Sequence, residues 1–254
     1  MTSPPTPTTL DADGIATLTL QGAKSLNIIG TPAILAATEA LHALRQTEGL
    51  RVLVLRGPGD QNFVGGANLH EMAGLTPDTA QAFITRLKNL CDAVRLFPVP
   101  VIARMAGWCL GAGLELAMAC DLRIASNGAV LGMPEVKVGI PSVIHAALLP
   151  RLVGQSVANW MLLTGEPLDA ATALGHGLLH RVCAPAELDA LVQQTALQLA
   201  NLAPQVLRQQ KRLLREWERV SLDQAMAHSV AEFGQAFATG EPQQHMQRFL
   251  ARKR

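Results

Sequence analysis

Two glutamates stand out for the company they keep. Glu115 lies inside CLGAGLELAMACD (109–121), a run that is small and apolar until its last position, and Glu135 follows in LGMPEVKVGIPS. A carboxylate taken out of water costs several kcal/mol unless it is neutralised, paired or used. Two of them in apolar settings suggest acid/base work. The plainer reading of Glu135 alone, an exposed surface glutamate, also stands.

Such work needs something to stabilise the charge it creates. Two Gly/Ala turns offer it: FVGGANLHEM (63–72) and GWCLGAGLELAM (107–118) each follow a strand-like run and lead into a helical one. Small residues let a ligand carbonyl approach the main chain, and a helix N-terminus adds partial positive charge. Two converging N–H donors would form an oxyanion hole. The alternative is that these glycines only permit tight turns and close helix packing.

Other motifs fail on their spacing. Gly111-Ala112-Gly113 is followed by Leu116 and Gly57-Pro58-Gly59 by Asn62, so neither completes a dinucleotide fingerprint. His70-Glu71 would need a second histidine where Gly74 stands, which removes the zinc motif. Gly154-Gln155-Ser156-Val157-Ala158 lacks both the preceding strand and the final glycine of a nucleophile elbow.

These residues must be positioned by elements, and the chain supplies them in alternation. Runs 14–20, 51–57, 100–107, 121–126 and 129–133 read as strands. Between them, 31–46 and 76–97 carry helical spacing, each opening on Thr-Pro, where Thr is expected to cap and Pro to occupy the first turn. That pattern is α/β. From about Pro185 the strands stop, and amphipathic helices continue to the end. Their apolar faces need a partner, either the core or another subunit.

Composition narrows the function classes. With 254 residues and 49% hydrophobic content the chain can bury a sizeable core. Lys+Arg 21 against Asp+Glu 20 gives a formal charge of +1, which leaves no global field for nucleic acid or anionic membrane. No apolar run reaches the ~20 residues of a membrane span, and the opening MTSPPTPTT reads as a disordered leader over 1–10, not a signal peptide. A cytoplasmic protein is expected. Cys91, Cys109, Cys120 and Cys183 show no C-x-x-C spacing and read as buried reduced thiols.

Taken in order, KSLNI (24–28), FVGGANLHEM, GLELAMACDLRIAS, MPEVKVGIP and LPRLVG resemble the enoyl-CoA hydratase/isomerase (crotonase) superfamily across nearly the whole chain. The resemblance implies a crotonase-like spiral of ββα units over 11–195 and a C-terminal helical region over 196–254 that packs into trimers, often paired into hexamers. It implies an acyl-CoA thioester substrate, with CoA part of that substrate and no metal or other cofactor. It places Ala67 and Ala112 where backbone N–H groups hold the thioester oxygen, and Glu115 and Glu135 where the hydratases carry their two catalytic glutamates. Lys24, Leu26 and Gly65 fall along the path of the CoA moiety; Lys24 alone could equally be a solvated lysine.

The chain also departs from that pattern. Asn68 stands where aspartate is frequent. After Glu135, many hydratases carry P-G-x-G-G, whereas this chain reads Pro141-Ser142-Val143-Ile144-His145. Ser142 falls where a glycine N–H commonly helps to hold the reacting water, and Val143 and Ile144 are expected to narrow the acyl pocket. His145 is either a polar contact to the acyl group or a satisfied structural histidine. Hydration of a 2-enoyl-CoA to a 3-hydroxyacyl-CoA leads the expectations. Double-bond isomerisation or other acyl-CoA enolate chemistry such as C–C cleavage is the enzymatic alternative, and a non-catalytic CoA-ester-binding subunit the third.

Overall fold

A computed structural model describes residues 6–251. The fold is a spiral in which each turn contributes a strand to one long sheet, a shorter strand that pairs outside that sheet, and then a helix. After β1 (Thr8–Leu10), the first turn supplies β2 (Ile15–Thr19), β3 (Ile28–Ile29) and α1 (Thr31–Leu44). The second supplies β4 (Val52–Arg56), β5 (Asn62–Val64), β6 (Gly66–Ala67), α2 (Leu69–Met72) and α3 (Pro77–Arg95). The third is β7 (Val101–Met105), β8 (Trp108–Leu110) and α4 (Ala112–Ala119), and the fourth β9 (Leu122–Ser126), β10 (Val130–Gly132) and α5 (Leu149–Thr164), which breaks at Gly154.

The ladders follow the same advance. One sheet runs β1-β2-β4-β7-β9-β12, parallel from β2 onward, with β12 at Arg181–Cys183. The other runs β11-β10-β8-β5, with β11 at Leu168–Asp169, and β3 pairs with β6. Parallel strands covered on both faces read as nearly unbroken apolar runs, as VLVLR in β4 does. Period-two alternation then splits its side chains: Leu53 and Leu55 enter the main core, while Val52 and Val54 face a second cluster.

That second cluster is closed by α7 (Leu188–Ala200), after α6 (Ala170–Gly175), through Leu188, Val192, Ala196 and Ala200. The boundary expected between residues 195 and 196 therefore falls inside a helix whose buried face packs on the sheet along its whole length. The region that projects from it is α8 (Pro204–Trp217), α9 (Leu222–Ala238) and α10 (Glu241–Ala251). Part of the leader expected over 1–10 is ordered in strand β1. Thr8–Leu10 pair antiparallel with β2, and the Pro7 carbonyl accepts from Thr19 N–H (3.0 Å); residues 1–5 lie outside the described residues.

The two Thr-Pro starts differ in their caps. Thr76 caps α3 as expected, accepting from Thr79 N–H in a reciprocal capping box. At α1 the cap position is Gly30, and Thr31 is the first helical residue. Its N–H donates to Glu71 Oε2 (2.9 Å) and its hydroxyl to Glu71 Oε1. A carboxylate from α2 thus occupies the positive end of α1, which is the use the fold makes of the His70-Glu71 pair.

One part-buried carboxylate ties α8 to the core. Asp121, directly after α4, accepts from Val101 N–H (2.7 Å), pairs with Lys211 Nζ (2.7 Å) and pairs with Arg215 (2.6 Å). Lys211 is buried and also donates to the Val99 carbonyl (2.9 Å). Removing one partner of such a pair leaves an uncompensated charge, which costs about 3–5 kcal/mol. Asp121→Ala is expected to lose stability on that scale, and a urea denaturation series against wild type measures it.

Candidate active site

The spiral brings β6, the β8–α4 turn and the segment after β10 to the rim of one cavity of about 400 Å³. Its lining includes Lys24, Leu26, Gly65, Ala67, Ala112, Glu115 and Glu135, so residues spread over more than a hundred positions meet there. Met72, Phe83, Ile84, Leu87, Leu110 and Val143 supply an apolar wall.

The two turns present backbone in different ways. In the β3–β6 ladder the Asn68 N–H donates to Ile29 O (2.9 Å), so strand alternation turns the Ala67 N–H to the other side. Ala112 is the first residue of α4, and a first-turn N–H has no partner inside its helix. Gly111 before it has φ +51°, and a Cβ there would sit 2.5 Å from Glu135 Oε1. Only glycine accommodates both the backbone and the carboxylate lying over it. Gly113 does something else: a Cβ would meet the Val64 carbonyl at 2.2 Å, so this glycine lets α4 press against β5. At Gly113 the close-packing reading of the turn holds.

Glu115 sits one turn into α4, whose eight residues are all buried. It is 4% exposed, and its Oε1 accepts from Ala146 N–H (3.0 Å). Burial pushes its pKa up to about 8; N–H donation from Ala146 and His145 pulls the other way, and the nearby Glu135 charge adds to the rise. Glu135 begins the 3-10 turn Glu135–Val138, is half-buried, and accepts from the Ser142 hydroxyl (2.8 Å) at Oε2.

Not every expected site residue faces the cavity. Ser142 and His145 are absent from its lining; Ser142 reaches it through Glu135. His145 is turned the opposite way, 8% exposed with Nε2 3.3 Å from Asp92 Oδ1 on α3, which replaces the expected contact with the acyl group. Val143 lines the cavity, while Ile144 packs against the main core. The reason is the turn itself, because Ile144 has φ +43° and reverses the direction of successive side chains. At the mouth, Gly65 N–H donates to Leu26 O (2.8 Å), fixing those two residues side by side, and Lys24 has a left-handed φ of +61°. Sequence reasoning did not name the α3 wall of Phe83, Ile84 and Leu87. Its amphipathic period was the available signal, yet that period alone does not tell a cavity wall from a core face.

The spiral thus sets two glutamates, Ala67 at a strand edge and Ala112 at a helix start around one largely apolar cavity. The profile of the enoyl-CoA hydratase/isomerase family matches residues 11–254, and the chain belongs to that family. It is 32% identical over 241 residues to a crotonyl-CoA hydratase of Syntrophomonas wolfei, covering 94% of this chain and 93% of the relative. It is 34% identical over 200 residues to the (E)-benzylidenesuccinyl-CoA hydratase of Thauera aromatica, covering 78% of each. Among solved structures, an enoyl-CoA hydratase of Mycobacterium smegmatis superposes with a TM-score of 0.93 at 28% identity, covering 98% of this chain and 97% of that one.

The buried acid has a thermodynamic signature. Glu115 binds its proton more tightly when folded, from the ordinary 4.5 up to about 8. Between those values the folded state holds the proton that the unfolded state has released, so stability falls as pH rises through that window. By pH 7 the penalty is on the order of 3 kcal/mol. Glu115→Gln removes it, and its melting temperature relative to wild type is expected to climb steadily from pH 5 to pH 8; calorimetry across that range checks the sign.

Proposed function

We propose that the protein hydrates a 2-enoyl-CoA thioester to a 3-hydroxyacyl-CoA, reversibly. The observation that carries this is the meeting of Glu115 and Glu135 at one cavity beside Ala67 and Ala112. In this reading the two alanine N–H groups hold the thioester oxygen as it gains charge. Water adds its oxygen at C3 and a proton enters at C2, giving the 3-hydroxyacyl product; one carboxylate takes the proton from the attacking oxygen and the other delivers one to C2. A pKa of about 8 suits Glu115 to this work, since both its forms are accessible near neutral pH. The reaction needs no cofactor beyond the CoA of its substrate.

The rest of the cavity supports a substrate class. Lys24, Leu26 and Gly65 at the mouth are assigned to the CoA moiety, with Lys24 available to a phosphate. The wall formed by Met72, Phe83, Ile84 and Leu87 carries no charged side chain, which suits a neutral, apolar acyl group.

One observation favours a second reading. The Ser142 hydroxyl occupies an acceptor position on Glu135 that a reacting water would otherwise use, which fits double-bond isomerisation or other enolate chemistry through Glu135. Turnover of crotonyl-CoA in ¹⁸O-labelled water separates the two: hydration places the label in the product, isomerisation does not. Glu115→Gln and Glu135→Gln are each expected to lose roughly 10²- to 10⁴-fold in kcat, with binding of the CoA ester retained. Wild-type turnover in both would sink the assignment.

We infer self-association from the helices beyond the core. Leu222, Met226, Val230, Phe233 and Phe237 fall on one face of α9 and are all exposed, Val230 at 76% and Phe233 at 69%. A contiguous apolar face of this kind marks an interface, and a second and third copy of the chain are its occupants in this reading. Phe233→Asp is expected to lower the mass measured by light scattering from a trimer or hexamer toward the monomer.

A further inference from the structure

The segment that carries His145 is strained. Among the described residues Lys24, Asn27 and Ile144 are the non-glycine residues with positive φ, and Ile144, at +43°, is the β-branched one. For a β-branched side chain that backbone region is a genuine outlier, which persists only when its surroundings over-determine it.

The surroundings are on both sides of it. Ile144 packs into the main core, and the next residue, His145, is buried with Nε2 against Asp92 Oδ1 at 3.3 Å. Lys88 takes the other Asp92 oxygen at 2.5 Å. His145 Nδ1 is buried with no partner, so the ring gives up one hydrogen bond to hold this position. The residue after it, Ala146, shares its N–H between Val143 O (2.9 Å) and Glu115 Oε1 (3.0 Å).

We propose that His145, clamped by Asp92, is a positioning residue: it locks the strained Val143–Ala146 turn so that the consecutive N–H groups of His145 and Ala146 face the Glu115 carboxyl. This rests on reading Glu115 as an acid/base group of the proposed hydration. The charged and titratable groups around the device come from two elements. Asp92, Lys88 and Arg95 of α3 act on His145, Glu135 of the 3-10 turn acts on Glu115, and the Glu115 charge in turn helps to raise the buried Cys91 thiol of α3. The N–H donors favour the charged form of Glu115, so loosening the turn raises its titration midpoint.

The test titrates the carboxyl ¹³C signal of Glu115, assigned by its absence in Glu115→Gln, in wild type, His145→Ala, Asp92→Ala and the double variant Ile144→Gly/His145→Ala. His145→Ala and Asp92→Ala are expected to move the midpoint upward by about one pH unit. With crotonyl-CoA, kcat should fall about tenfold while KM stays within about twofold. Adding Ile144→Gly should restore both, because glycine enters the left-handed region without a clamp. An unmoved midpoint, a rate loss without movement of the midpoint, or no recovery on adding the glycine overturns the proposal. Should His145→Ala not fold, Asp92→Ala, altered at a part-exposed position, decides. If wild type turns over no enoyl-CoA, the hydratase reading fails alone, since the titration in the free protein still decides the clamp.

Discussion

A carboxylate sits in a helix that has no polar face, and the rest of the molecule is arranged around it. All eight residues of α4 are buried, so Glu115 has no route to solvent along its own helix. Neutralisation and hydrogen bonding are the physical ways to hold it there, and the structure uses both. Burial favours the protonated form, and the turn at Val143–Ala146 supplies N–H donors from a different part of the chain. The dry surroundings that make Glu115 costly are the same surroundings that strengthen any N–H contact made nearby.

The position of α4 follows from close packing at its first turn. Gly113 admits the Val64 carbonyl and Gly111 admits the Glu135 carboxylate, so the helix starts where strand β5 and the 3-10 turn after β10 both touch it. At its other end Asp121 gathers Lys211 and Arg215 from α8. One short segment, Gly111 to Asp121, is therefore where the two larger sheets, the two glutamates and the helical extension are joined. The apolar cavity wall is completed by α3, which also packs on α1 and α4, meets His145 through Asp92 and reaches the end of α8 through Arg95 and Glu218.

Much of the arrangement was legible from residue types. The strands at 14–20, 51–57, 100–107, 121–126 and 129–133 each contain an observed strand, because buried parallel strands write themselves as apolar runs. The expected sites Ala67, Ala112, Glu115, Glu135, Lys24, Leu26 and Gly65 all line one cavity. His145 was legible only as a choice between two roles, and its ring faces Asp92 because a left-handed residue precedes it. Thr31 looked like a cap and is not one, since the cap at α1 is delivered by Glu71, forty positions away, and no local pattern encodes that contact. The boundary expected at 195/196 lies within α7 for a similar reason: amphipathic period shows that α7 has an apolar face, not that the face meets the sheet.

By itself, the sequence determined the alternation of strands and helices, the Gly/Ala turns, the out-of-place glutamates and the absence of a dinucleotide or zinc motif. These are properties of local spacing, and spacing survives without a fold. Only the tertiary structure decided that Glu115 is held by the Ala146 N–H, that Ser142 serves Glu135, that His145 belongs to α3 and not to the cavity, and that α7 is core. Each of these is set by one backbone torsion or one long-range approach. A side chain's direction depends on the φ of its neighbours and on what packs opposite, and neither is written in the residues that flank it.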